Sequence, residues 1–162
     1  MSRVLEIAPQ VDAAPLLAGA QFIDAFRIDV AGQAIDARLA AERMLSKSAR
    51  WIETLMNLRN LIVAPFGLKT TGHHESPPRE TIGLFPILTQ TPDRLVAGFN
   101  DKHLDFRVVV DVVASEAGSA SAQQVTATTL VRTHNLFGRI YLAVIMPFHR
   151  LIVPAMLRKI VA

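Results

Sequence analysis

Five histidines and a scattered set of carboxylates are the side chains of this 162-residue sequence that can move protons or hold charged ligands. The densest group is His103, Asp105, Arg107 and Asp111, whose spacing puts them on one face of an extended strand. Leu104, Phe106, Val108, Val110 and Val112 fall on the other face. A histidine and a carboxylate two residues apart can hydrogen-bond, which orients the imidazole and raises its basicity for proton transfer. The same pattern equally describes an outward face of cross-strand ion pairs. If the strand carrying Arg132 and His134 pairs alongside, His103, Asp105, Arg107 and His134 could converge on a carboxylate-bearing ligand, with Arg107 as its bidentate partner.

His149 is of a different kind, because it interrupts an apolar helical stripe. A buried histidine must find a partner, so it is either a core residue bonded to a neighbouring polar group or the polar anchor of an apolar pocket. His73, His74 and Glu75 offer metal-ligand types, but adjacent loop histidines do not readily meet on one ion, and no metal site is expected. With no cysteine in the chain, thiolate nucleophiles and cysteine-ligated zinc are excluded. No nucleophile elbow supports a hydrolase triad, and no glycine-rich phosphate loop supports a nucleotide cofactor. No cofactor is expected.

The elements that must position these residues follow from composition and pattern. Hydrophobic residues make up 51% of the chain, enough to bury a core, so disorder is excluded and one domain spanning 1–162 is expected. The formal charge, 17 − 14 = +3, is too small and too dispersed for a nucleic-acid surface. Pro9, Asp12 and Pro15 interrupt any leader-like apolar run, which points to cytoplasmic residence. Residues 1–20 are expected to be poorly defined.

From Phe22 to Val30, alternate residues are mostly apolar, as in a half-buried strand. Asp36 is placed to cap a short helix reaching Leu45, with Ala37, Ala40, Ala41 and Met44 inward. A second helix carries Trp51, Leu55, Leu58 and Ile62 along one stripe until Pro65 and Gly67. After a loop over 70–79, strands are predicted at Thr81 to Gln90, Arg94 to Asn100, His103 to Ala114 and Gln123 to His134, as an antiparallel meander.

The last segment, Gly138 to Ile160, is apolar enough to raise the question of a membrane span. Nine Leu, Ile, Val or Phe residues between Ile140 and Leu157 favour insertion by roughly 3 to 5 kcal/mol, and Arg150 alone opposes it by about 3 kcal/mol. Its uncharged runs are also too short, so a packed helix is expected. Pro147 and Pro154 lie on one face and should bow the helix. Leu142, Ile145, His149, Ile152 and Met156 would then form the concave side. The proline face is apolar too, through Ile140, Val144 and Leu151, which calls for a second cover: the early helices, a twin subunit or lipid.

Asp101 to Arg107, Thr133-His134-Asn135, Gly138 to Leu142 and Ile145 to Arg150, together with Trp51-Ile52 and Leu58-Arg59-Asn60, resemble the bacterial family catalogued as domain of unknown function 2867. The likeness runs from Phe22 through Leu157. The element order is similar to that of the helix-grip (START-like, SRPBCC-like) fold. By analogy this implies an α+β domain with an antiparallel curved sheet wrapped around a long kinked C-terminal helix, two short helices inserted after the first strand, and an apolar cavity between sheet and helix.

The expected function is binding of a small apolar or amphipathic ligand in that cavity. Trp51, Phe85, Phe106, Leu142, Ile145 and Ile152 would be its walls, with His149, and Arg107, His134 or His103, as polar anchors. Two alternatives stand beside it. One is an acid/base isomerase, cyclase or hydratase using a pair such as His103 and Asp105. The other is a module that dimerises or touches a membrane through the proline face.

Overall fold

The computed structural model describes residues 2–45, 57, 64–66, 80–83, 85–116 and 122–162. The helix expected around Trp51 to Ile62 and the 70–79 loop, with His73, His74 and Glu75, lie outside the described residues apart from Asn57.

The described chain is α+β. Its order is β1 (Leu5–Ile7), α1 (Ala13–Leu16), β2 (Phe22–Val30), α2 (Ala37–Leu45), a 3-10 turn (Ala64–Phe66), β3 (Thr81–Ile82), β4 (Phe85–Gln90), β5 (Arg94–Asn100), β6 (Leu104–Ala114), β7 (Gln123–Thr133) and α3 (Leu136–Arg158). The strands form one open antiparallel sheet in the order β1-β2-β7-β6-β5-β4-β3. Strand β2 pairs with β7, the last strand in sequence, and the remaining strands follow as a meander.

Two expectations are corrected. Residues 81–90 form two strands rather than one, because Gly83 adopts φ +57°, a left-handed conformation that turns the chain between β3 and β4. The N-terminal segment is also ordered: β1 pairs with β2, and Asp12 caps α1 by accepting from the Ala14 amide. This segment covers a face of the sheet, which explains its order. Leu17 is buried there with Val96, Val109 and Leu130, and Val11, Leu16 and Ile23 pack around them.

The opposite face carries the main core. Phe26, Ile28, Leu95, Ala97, Val108, Val110, Val125 and Ala127 alternate inward from four adjacent strands. Ala37, Ala40, Ala41 and Met44 of α2 and Val153 and Leu157 of α3 close over them. Helix α2 begins where Asp36 accepts a hydrogen bond from the Leu39 amide at 2.7 Å. Gln123 braces the preceding turn by exchanging two hydrogen bonds with the Ile35 backbone.

Helix α3 packs on β2, β7 and α2, and both prolines lie inside it. It is less enclosed than expected. Gly138, Val153 and Leu157 are buried, while Leu142, Ile145, His149, Ile152 and Met156 are only half-buried. The reason is geometric: among the described residues, the sheet and α2 cover a single side of a helix whose apolar residues run all the way round.

Candidate functional site

Two polar clusters sit on opposite faces of the sheet, and α3 distinguishes them. Under the helix lies Asp24 of β2, paired in register with Thr129 and sharing its face with Phe26. His149, in the middle of α3, donates from Nε2 to Asp24 Oδ2 at 2.9 Å, with Oδ1 at 3.2 Å. Their side chains are 16% and 9% exposed. Phe22 meets the His149 ring edge-on, at 6.0 Å between centroids. A carboxylate buried this far costs several kcal/mol to desolvate unless a donor reaches it, and His149 is that donor.

Beside this pair an open groove of about 380 Å³ runs between α3 and the end of the sheet where β2 begins and β7 finishes, lined by Gln21, Phe22, Thr133, Arg139, Leu142, Ala143 and Met146. The walls are mainly apolar. Gln21 is held in place because its Oε1 accepts from both the Thr133 amide and the Thr133 hydroxyl. Arg139, exposed at the mouth, supplies the cation.

The second cluster is built where β6 begins and β7 ends. His103 and Asp105, whose bond was one of two readings of this strand face, take different partners. Asn135 reaches His103: Asn135 Oδ1 caps α3 by accepting from the Gly138 amide at 2.9 Å, and Nδ2 donates to His103 Nδ1 at 2.9 Å. The imidazole also lies 4.6 Å from the Phe137 ring. The His103 carbonyl accepts from the His134 amide, and α3 comes so close here that a Cβ on Gly138 would fall 2.2 Å from that same oxygen. Glycine is required by this approach.

Asp105 instead pairs with His134 Nε2 at 3.0 Å, on the face away from α3. Arg107 shares that face and is occupied: its guanidinium donates to the Phe99 and Phe106 carbonyls. Burial pushes its pKa down from the usual arginine value, and the nearby Asp105 partly opposes this. Asp105, Arg107 and His134 therefore come together without His103, and not beneath the helix. Asp111 pairs with Arg94 across β5 and β6, and Arg132 donates to the Ala18 carbonyl. These are the cross-strand ion pairs and backbone ties of an outer face.

Of the expected pocket walls, Leu142 lines the groove, and Ile145 and Ile152 are half-buried along α3. Phe85 and Phe106 stack with Phe99, 5.2 Å and 5.7 Å being the centroid distances from Phe106. They join the main core rather than the groove. Trp51 lies outside the described residues. Among the described residues no three metal-ligating side chains are grouped to hold an ion.

Sequence reasoning passed over Asp24, although it was the one charged residue on the apolar parity of its strand. It also passed over Arg139, which no periodicity marks.

Among the described residues, a seven-stranded open antiparallel sheet with a C-terminal helix laid across one face thus defines an α+β domain with a helix-covered polar pair and an outer polar cluster. The chain belongs to the family of proteins of unknown function DUF2867, whose model matches residues 16–156. No curated protein and no solved structure matches it.

Proposed function

We propose that the protein binds a small amphipathic anion in the groove beside α3, and that its fold is of the helix-grip type. The observation that carries this is the groove lining: Phe22, Leu142, Ala143 and Met146 offer an apolar wall, and Arg139 offers a cation for a carboxylate or similar head group. The order of a long strand, helix, meander and terminal helix supports the fold assignment. Arg107, the anion partner expected from the sequence, is replaced in this role by Arg139, because Arg107 is bonded to backbone carbonyls on the other face.

The test is displacement of anilinonaphthalenesulfonate by a straight-chain carboxylate and by the corresponding alcohol. The carboxylate should compete better by about tenfold, consistent with one charge-assisted hydrogen bond. Arg139→Gln should erase that preference, and Ala143→Phe should weaken both competitors by filling the groove. Equal competition by acid and alcohol in the unaltered protein, or indifference to Ala143→Phe, removes the reading.

A second reading, acid/base catalysis, is favoured by one contact. His149 is oriented by Asp24 and touches Phe22, which is a groove wall. His149→Gln distinguishes the two: a carrier keeps its affinity for the carboxylate, whereas an enzyme loses turnover.

A further inference from the structure

We propose that the outward stripe of α3 is a docking surface for an anionic lipid membrane, on which the helix lies flat rather than crossing. The inference is independent of what the groove binds.

Leu136, Ile140, Val144 and Leu151 are 69%, 54%, 61% and 63% exposed, and Phe148 adds 37% at the edge of the same stripe. Their spacing of three and four residues aligns them on one side of the helix, opposite His149 and Val153. Over eighteen residues α3 has a mean hydropathy of 1.7, the range of a membrane-inserting segment. An apolar surface this continuous on an isolated domain marks an interface.

Charge selects the partner. From Leu136 to Ala162 the sequence contains no Asp or Glu, but it does contain Arg139, Arg150, Arg158 and Lys159. Arg139 and Arg150 are eleven residues apart, so both project from one flank of the stripe, within about 20° of each other. Both are exposed, as is Arg158, which continues the stripe at its C-terminal end. An apolar face bordered by arginines and free of carboxylates fits the boundary between acyl chains and anionic head groups.

Crossing the bilayer is opposed by the way α3 is held. His149 is bonded to Asp24 in the sheet, Val153, Leu157 and Ile160 sit in the core, and Arg43 of α2 donates to the Ile160 carbonyl. A helix pinned along its length can present a side but cannot thread a membrane. A second copy is opposed by charge. An antiparallel pairing centred near Val144, the middle of the stripe, would bring Arg139 of one copy close to Arg150 of the other, twice, with no carboxylate on either helix to offset them.

The experiment is co-sedimentation of the full chain with vesicles of phosphatidylcholine alone, and with about a quarter phosphatidylserine. Binding should appear with the anionic vesicles and fall steeply in high salt. Arg150→Gln and Arg158→Gln, both away from the groove, should each weaken it roughly fivefold. The triple variant Ile140→Ser, Val144→Ser, Leu151→Ser should abolish it while melting at nearly the unaltered temperature, since those side chains are already exposed. Three outcomes overturn the proposal: no binding to either vesicle, equal binding to both, or a dimer on sizing chromatography that the triple variant converts to monomer.

Discussion

Asp24 and His149 stand 125 positions apart in the chain and meet at 2.9 Å between the sheet and its last helix. Each was the polar exception in an apolar pattern, and each is the other's explanation. The contact ties the middle of α3 to the start of β2 and turns the His149 face of the helix toward the sheet.

Breaking the pair should therefore be costly and coupled. Asp24→Ala leaves a half-buried imidazole without its acceptor and should destabilise the fold by about 3 kcal/mol. His149→Ala should cost about as much. The double variant should cost less than the sum by 1 to 3 kcal/mol, roughly, as for residues in one contact. Urea unfolding of the four proteins measures this, and strictly additive losses would show that the pair does not act as a unit.

Gly138→Ala sets two effects of opposite sign against each other. Alanine is a better helix former by about 1 kcal/mol, but its Cβ would fall 2.2 Å from the His103 carbonyl oxygen, which is backbone and cannot swing aside. Steric crowding should win, leaving a net loss of about 1 to 3 kcal/mol. A variant more stable than the parent would mean that α3 does not press on the His103 turn.

At the cap of the same helix, Asn135→Ala should cost about 1 to 2 kcal/mol. Asn135→Asp retains an oxygen for the Gly138 amide and should recover most of that loss, which thermal melts can follow. Equal losses in the two variants would shift the importance of Asn135 from the helix end to its donor bond with His103.

Glu80 gives a pH dependence with a definite sign. Its hydrogen bond with Arg38 lowers its pKa from the ordinary 4.5, so the folded chain holds the Glu80 proton less tightly than the unfolded chain. The associated stability is fully present above the unfolded value and fades as the pH falls through the folded one. Glu80→Gln should flatten the melting temperature against pH below about 4.5 and leave it unchanged in slope near neutrality. Being exposed, the pair should also weaken in high salt. An unchanged acid limb in the variant would assign that limb to other carboxylates.

How much of this was legible in the sequence differed by element. Strand β2 was read at its limits and helix α2 at its start, because Asp36 and the alternation from Phe22 to Val30 are local signals. Gly83 broke a strand that read as continuous, since a single residue at positive φ leaves no mark in an apolar pattern. The N-terminal segment was misjudged because its order comes from covering Val96, Val109 and Leu130, contacts that no short window reveals.

The site shows the same division. His149 was legible as a polar residue needing a partner, but the partner lay in another element and could be named only once β2 and α3 were placed together. For the outer cluster, parity grouped His103 with Asp105 and Arg107. It could not foresee that Asn135 would draw the His103 ring to the end of α3 while His134 took Asp105.

The borders of the sheet carry a last consequence. Among the described residues β1 contributes three residues at one border and β3 two at the other. Edge strands this short are poor templates for a foreign strand. The run Val108-Val109-Val110-Asp111-Val112-Val113 is the kind of segment that seeds fibrils, and it lies in β6, the middle strand of the seven, with neighbours on both sides. While folded, the protein keeps this stretch paired along both borders. Partial opening at β5 or β7 would release it, with Asp111 as the lone charge to interrupt stacking.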